Sequence, residues 1–118
     1  MIKPERGEVW RVFLDPTVGD EIGKARPAIV MSESETGRLA LRVVVPLTGW
    51  QSVFAKHPWM TDIAPNEQNG LSKPSSADAF QVRSVSLNRF ISKIGELEPD
   101  EVEEVAASIT LVVGYLAP

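Results

Sequence analysis

Over the first 94 residues the apolar positions fall in short bursts rather than at helical spacing. Residues 8–14 (EVWRVFL), 27–32 (PAIVMS), 40–47 (ALRVVVPL), 59–63 (WMTDI), 77–85 (ADAFQVRSV) and 90–94 (FISKI) are β-branched or aromatic, with turn-rich chain between them. That pattern predicts short strands. Residues 15–25 (DPTVGDEIGKA) and 66–76 (NEQNGLSKPSS) have the Gly, Pro, Asn and Ser content of irregular loops. Residues 86–89 are expected to form a turn of helix. After residue 94 the rhythm changes. Val102, Val105, Ala106, Ile109, Val112, Val113 and Leu116 recur at helical spacing, giving one apolar face. Pro99 suits the first position of that helix, and acidic residues crowd its first turn, where the macrodipole favours them. Short, closely spaced strands followed by one helix predict a mainly-β fold, a small and strongly bent β-barrel capped by a C-terminal α-helix. The sequence has no internal repeat and no linker, and residues 1–118 are expected to form one domain.

Composition narrows the chemistry. There is no Cys and only one His, which excludes disulfides, thiolate metal sites and His clusters. The first ten residues, MIKPERGEVW, lack the apolar segment of an export signal. The longest uncharged stretch, residues 105–118, is shorter than the ~20 residues a bilayer requires. The cytoplasm is therefore the expected compartment. The net charge of −4 argues at first against a nucleic-acid partner. Its distribution removes that argument. Residues 1–94 sum to +2, and residues 95–118 sum to −6 with no Lys or Arg among them. The surplus acidity thus belongs to the helix, and the bulk charge neither supports nor excludes RNA.

No nucleophile elbow, P-loop, paired-carboxylate metal motif or zinc spacing is present. His57 stands alone beside Pro58. Two other positions carry more information. Arg26 follows the long first loop and directly precedes Pro27, which biases it to extended geometry at the start of a strand. Thr48 follows Pro46–Leu47, where the third strand should end. The planar, permanently charged fork of arginine suits phosphate. On these residues alone the favoured readings are a surface ion pair from Arg26 to Glu21 or Asp20 and a turn-stabilising hydroxyl at Thr48.

The order of short motifs goes further. Arg6–Gly7–Glu8–Val9–Trp10 is followed by the run DPTVGDEIGKARPAIV over residues 15–30. Then come Val45–Pro46–Leu47–Thr48, Asn69–Gly70–Leu71 and Gln81–Val82–Arg83–Ser84–Val85. Together these resemble the signature of MazF/PemK-type toxins across residues 5 to 115. Ser75–Ser76 and Asn88 depart from it, standing where relatives often carry an acidic residue before Ser and a Lys, respectively.

The resemblance implies an SH3-like, CcdB/MazF-type β-barrel that forms a homodimer. It implies the toxin of a type II toxin–antitoxin pair, a sequence-specific endoribonuclease (mRNA interferase) that cuts single-stranded RNA without metal or cofactor, and a MazE-like antitoxin as partner. By position the family's catalytic Arg falls on Arg26, its catalytic Thr on Thr48 and its acidic loop residue on Glu21. Gln81 and Arg83 match a segment that lines the RNA groove. Trp50 and Phe54, with Gln51, Lys56 and Lys24, are candidates for stacking bases and contacting the strand, since single-stranded RNA is read by splayed bases on aromatic side chains. A non-catalytic CcdB-like toxin, or a degenerate member that binds a protein or RNA without cleavage, is the alternative. The CcdB toxins lack the Arg–Thr arrangement.

Overall fold

A computed structural model describes residues 2–34 and 39–116. Seven strands and one helix follow in the order β1 (Glu8–Phe13), β2 (Ala25–Val30), β3 (Leu41–Gly49), β4 (Met60–Ile63), β5 (Ser75–Asp78), β6 (Arg83–Ser86), β7 (Phe90–Glu96) and α1 (Pro99–Val112). Short 3₁₀ turns occupy Ser52–Lys56, Ala79–Gln81 and Leu87–Arg89, the last where a helical turn was expected. All pairings are antiparallel, in the order β4-β5-β3-β2-β1-β7, with β6 also on β3. The fold is thus mainly β with one C-terminal helix. The edge strands β4 and β7 do not pair, so the sheet is not closed into a barrel.

Both faces of the central strands are buried, which explains why β3 reads as an apolar run rather than an alternation. Val9, Ile29, Val45 and Leu47 join the core beneath Val102 and Val105 of α1. Their neighbours Trp10, Ala28 and Val44 enter a second core with Val12, Val30, Val85 and Phe90. Helix α1 begins as its sequence dictates. Pro99 is its first residue, and Glu98 and Glu101 form a reciprocal capping box. The helix ends at Val112, however. Val113 and Leu116, expected on its buried face, are 67% and 89% exposed, because the chain leaves the helical period at the left-handed Gly114.

The single strand expected over residues 77–85 is two. β5 and β6 both pair with the edge of β3 opposite β2, but in registers three residues apart. The 3₁₀ turn Ala79–Gln81 takes up that offset, with Asp78 accepting from the Phe80 N–H at 3.1 Å. The register shift turns Phe80 outward, and it is 62% exposed.

The β1–β7 seam carries an ionic staple. Glu8 Oε1 accepts from Trp10 Nε1 and from the Glu5 N–H, both at 2.9 Å, and Glu8 Oε2 lies 3.0 Å from Lys93 Nζ. Burial pushes the Glu8 carboxyl up, but these bonds outweigh it and hold the group below its ordinary value. A carboxylate depressed by folding stabilises the native state above its unfolded pKa, and that stability is lost as pH falls through the folded value. Glu8→Gln is therefore expected to flatten the acid side of a melting-temperature profile between about pH 5 and pH 3. Parallel acid limbs for the two proteins would refute this.

Candidate active site

The site arises where β3 changes partner. β2 and β3 pair as far as Ala28 and Pro46, while on the opposite edge of β3 the partner passes from β6 to β5, which pairs through Leu47, Thr48 and Gly49. The strands part, leaving Arg26–Pro27 and Leu47–Thr48 on opposite banks of a cleft of about 340 Å³. Arg11 of β1, Lys24, and Ser72, Lys73 and Ser75 from the segment before and into β5 complete the lining. Four cations thus converge on one cleft, and no carboxylate lines it. None of the four forms an ion pair among the described residues.

Arg26 is oriented by its own loop. Its Nε donates to the Gly23 carbonyl at 3.1 Å, and its terminal nitrogens have no partner among the described residues. Neither Asp20 nor Glu21 pairs with it. The Thr48 hydroxyl likewise makes no hydrogen bond there, so it does not brace a turn. A cationic fork and a free hydroxyl on facing banks can both donate to one tetrahedral or trigonal-bipyramidal oxyanion.

Glu21 lies elsewhere. It lines a neighbouring, larger cleft of about 570 Å³ with Pro16, Asp20, Phe80, Gln81 and Arg83. Its Oε1 accepts from the Val18 N–H at 2.7 Å and closes its own loop. Gln81 and Arg83 also hold that loop. Gln81 accepts from the Ile22 N–H at 3.1 Å and donates to the Asp20 carbonyl at 2.9 Å. Arg83 Nη1 donates to the Leu14 carbonyl at 3.0 Å, while Arg89 Nη1 reaches the Phe13 carbonyl at 3.1 Å. The composition that reads as irregular chain is therefore a pinned loop that presents Lys24 and Arg26. The larger cleft mixes two carboxylates with one arginine, whereas the smaller one carries cations alone.

The aromatic candidates sit outside the basic cleft. Trp50, 45% exposed, follows Gly49, and its N–H donates to the Pro74 carbonyl at 3.0 Å. Gln51 and Lys56 are exposed at the two ends of the 3₁₀ turn that contains Phe54. The Phe54 ring is 6.3 Å from His57, which stacks on Trp59 at 4.6 Å and 9°. Trp59 meets Phe80 edge-on at 5.4 Å. Burial pushes the nearby Asp78 carboxyl above its usual value, against the opposing pull of the Phe80 N–H and the His57 charge. The sequence reading missed Trp59 and Phe80 in this row, and Arg11 and Lys73 in the cleft. A basic or aromatic residue inside a strand or loop has no one-dimensional signal for which cleft it reaches.

The acidic helix contributes nothing to the basic cleft. No α1 residue lines it, and Glu103 lies 4.0 Å from Arg6 at a different surface. Among the described residues no helix is long and apolar enough to cross a membrane, and no group of three His, Asp or Glu side chains is arranged to hold a metal ion.

Comparison with known proteins agrees with this architecture. Endoribonuclease MazF9 of Mycobacterium tuberculosis is 30% identical over 112 residues, 90% of this chain and 92% of that protein. The crystal structure of MazF from Deinococcus radiodurans superposes with a TM-score of 0.82 at 23% identity, over 98% of this chain and 100% of that one. An endoribonuclease solved in complex with its cognate antitoxin, from a mycobacterial species, gives a TM-score of 0.75 at 22% identity over 98% and 99% of the two chains. The family model for PemK-like, MazF-like toxins of type II toxin–antitoxin systems matches residues 5–113. The chain belongs to that family of toxins.

Proposed function

We propose that this toxin is a sequence-specific endoribonuclease that cuts single-stranded RNA without a metal, the substrate's own 2′-hydroxyl acting as nucleophile. The observation that carries the reading is the pairing of Arg26 with Thr48 across a cleft lined by four cations and no carboxylate. As the 2′-oxygen attacks phosphorus and the 5′-oxygen leaves, negative charge grows on the non-bridging oxygens. The free fork of Arg26 and the hydroxyl of Thr48 donate to those oxygens, and an oriented donor is most effective where water is displaced. Glu21, held in the adjacent cleft with Gln81 and Arg83, acts in this reading on the strand beyond the cut and on the loop that carries Arg26. The row Phe54, His57, Trp59 and Phe80, with Trp50, Gln51 and Lys56 nearby, offers flat apolar faces on which unpaired bases stack.

The test is incubation of purified protein with a long single-stranded RNA in EDTA. Cleavage at a recurring sequence by the wild type, and cleavage slowed about 10²–10³-fold in Arg26→Ala, is expected. Indistinguishable wild-type and variant lanes would sink the nuclease reading.

The partners follow from the same charges. A MazE-like antitoxin is the proposed protein partner, as the mycobacterial endoribonuclease solved with its cognate antitoxin supports; an acidic segment of it would occupy the basic cleft and exclude RNA. Two copies are proposed to associate, each an open variant of the SH3-like, CcdB/MazF-type architecture, and the protein to work in the cytoplasm. Leu41 and Val43 on one side of β3, 48% and 36% exposed, and Leu39 just before it, 61% exposed, supply apolar surface for such a dimer. Sedimentation at micromolar protein should give a dimer mass, and a monomer alone would refute it.

A further inference from the structure

We infer that Lys73 is a phosphate-binding residue of the basic cleft, holding the RNA strand on the bank opposite Arg26. The inference rests on the nuclease reading and names a contact that neither the motif order nor the loop composition reveals. Lys73 is exposed, lines the cleft with Thr48 and Gly49, and has no carboxylate partner among the described residues. Its head group lies close to the chain at Thr48. A Cβ built on Gly49 would stand 3.3 Å from Lys73 Nζ and 3.5 Å from its Cε. The glycine beside Thr48 thus leaves room for the lysine stem.

The backbone at Lys73 is fixed on both sides. Upstream, Leu71 is buried and its N–H donates to Asn69 Oδ1 at 3.0 Å. Downstream, Pro74 restricts the lysine to extended geometry and accepts the Trp50 N–H, while Ser75 Oγ donates to the Lys73 carbonyl at 3.0 Å. The aliphatic stem then carries a compact, strongly hydrated charge over the cleft, which suits a phosphate held as a point charge rather than as a planar fork. A single strand whose reacting phosphate sits between Arg26 and Thr48 brings its next phosphate along the Ser72–Lys73–Ser75 bank.

The test is binding of a mixed-sequence, fluorescein-labelled single-stranded oligodeoxynucleotide, which lacks the 2′-hydroxyl and is not cut. Fluorescence anisotropy across several salt concentrations gives Kd and its salt slope. Lys73→Gln is expected to weaken binding roughly tenfold at low salt. It should also reduce the salt slope by about 0.7, the value for one phosphate contact on a single strand. Lys73→Arg should restore both, and Lys3→Gln, the same charge change at an exposed residue outside the cleft, should leave both at the wild-type values. In RNA cleavage the loss should appear in KM. Wild-type Kd and slope in Lys73→Gln would overturn the assignment, as would a Lys73→Arg variant as weak as Lys73→Gln. If the wild type fails to cut RNA while the oligonucleotide results hold, the nuclease reading falls and the phosphate contact stands.

Discussion

Replacing Arg26 by alanine is expected to lower single-turnover RNA cleavage by about 10²–10³-fold, the usual consequence of deleting one oriented donor to a developing oxyanion. The effect is large because nothing else on that bank has the same geometry. Lys24 and Arg11 line the same cleft, but an ammonium cannot form two parallel bonds, and Arg11 projects from a different strand. Arg26→Lys should therefore fall between wild type and Arg26→Ala, keeping the charge and losing the fork. Stability should change little. The guanidinium makes one bond, to the Gly23 carbonyl, in a partly buried setting, worth about 1 kcal/mol. Circular dichroism melting beside the kinetic assay separates the two effects. A variant that melts normally and cuts at the wild-type rate would remove Arg26 from the chemistry.

The second large effect is on folding. Asn69→Ala is expected to destabilise the protein by about 3 kcal/mol, at roughly 1 kcal/mol for each hydrogen bond lost. Asn69 is fully buried inside the loop between β4 and β5. Its Oδ1 accepts from the N–H groups of Asn66 and Leu71, each at 3.0 Å, and its Nδ2 donates to the Ala64 carbonyl at 2.9 Å. Asn66 returns the favour, its Oδ1 accepting from the Asn69 N–H at 2.7 Å. Truncation leaves three main-chain groups without their partner, the Leu71 N–H in a buried setting. Asn69→Asp should not rescue it, because the second oxygen would face the Ala64 carbonyl and a charge would be buried. The neighbouring Gly70 allows no relaxation. It sits at φ +67°, and a Cβ there would collide with the Ile94 backbone. For a chain of this size the loss corresponds to a fall in melting temperature of about 10 °C. A scan showing no change would mean that the loop does not hold β5 to β7. The same loop carries Lys73, so its stability reaches the cleft.

Much of this was legible in one dimension. The β-branched bursts marked five of the seven strands, and Pro99, the acidic first turn and the apolar spacing marked the helix. The burst over residues 77–85 was misjudged as one strand because a register shift leaves no trace in hydrophobicity. Its cause is the three-residue offset between β5 and β6 on β3. The far end of the helix was misjudged because Val113 and Leu116 continue an apolar pattern that the backbone abandons at Gly114.

By itself the sequence determined that the chain is mainly β with a terminal helix, that its acidity belongs to that helix, and that Arg26 and Thr48 lie at strand ends. These are consequences of local periodicity, capping and charge order. Only the tertiary structure decided that β3 parts from β2 after Pro46 while β5 holds its other edge, which sets Arg26 and Thr48 on two banks of one cleft. It also brought Arg11 and Lys73 to that cleft, set Glu21 in another, and kept the helix's carboxylates away from the four cations. A potential depends on distances through space, and which charges share a cleft is fixed by strand pairing between residues far apart in the chain.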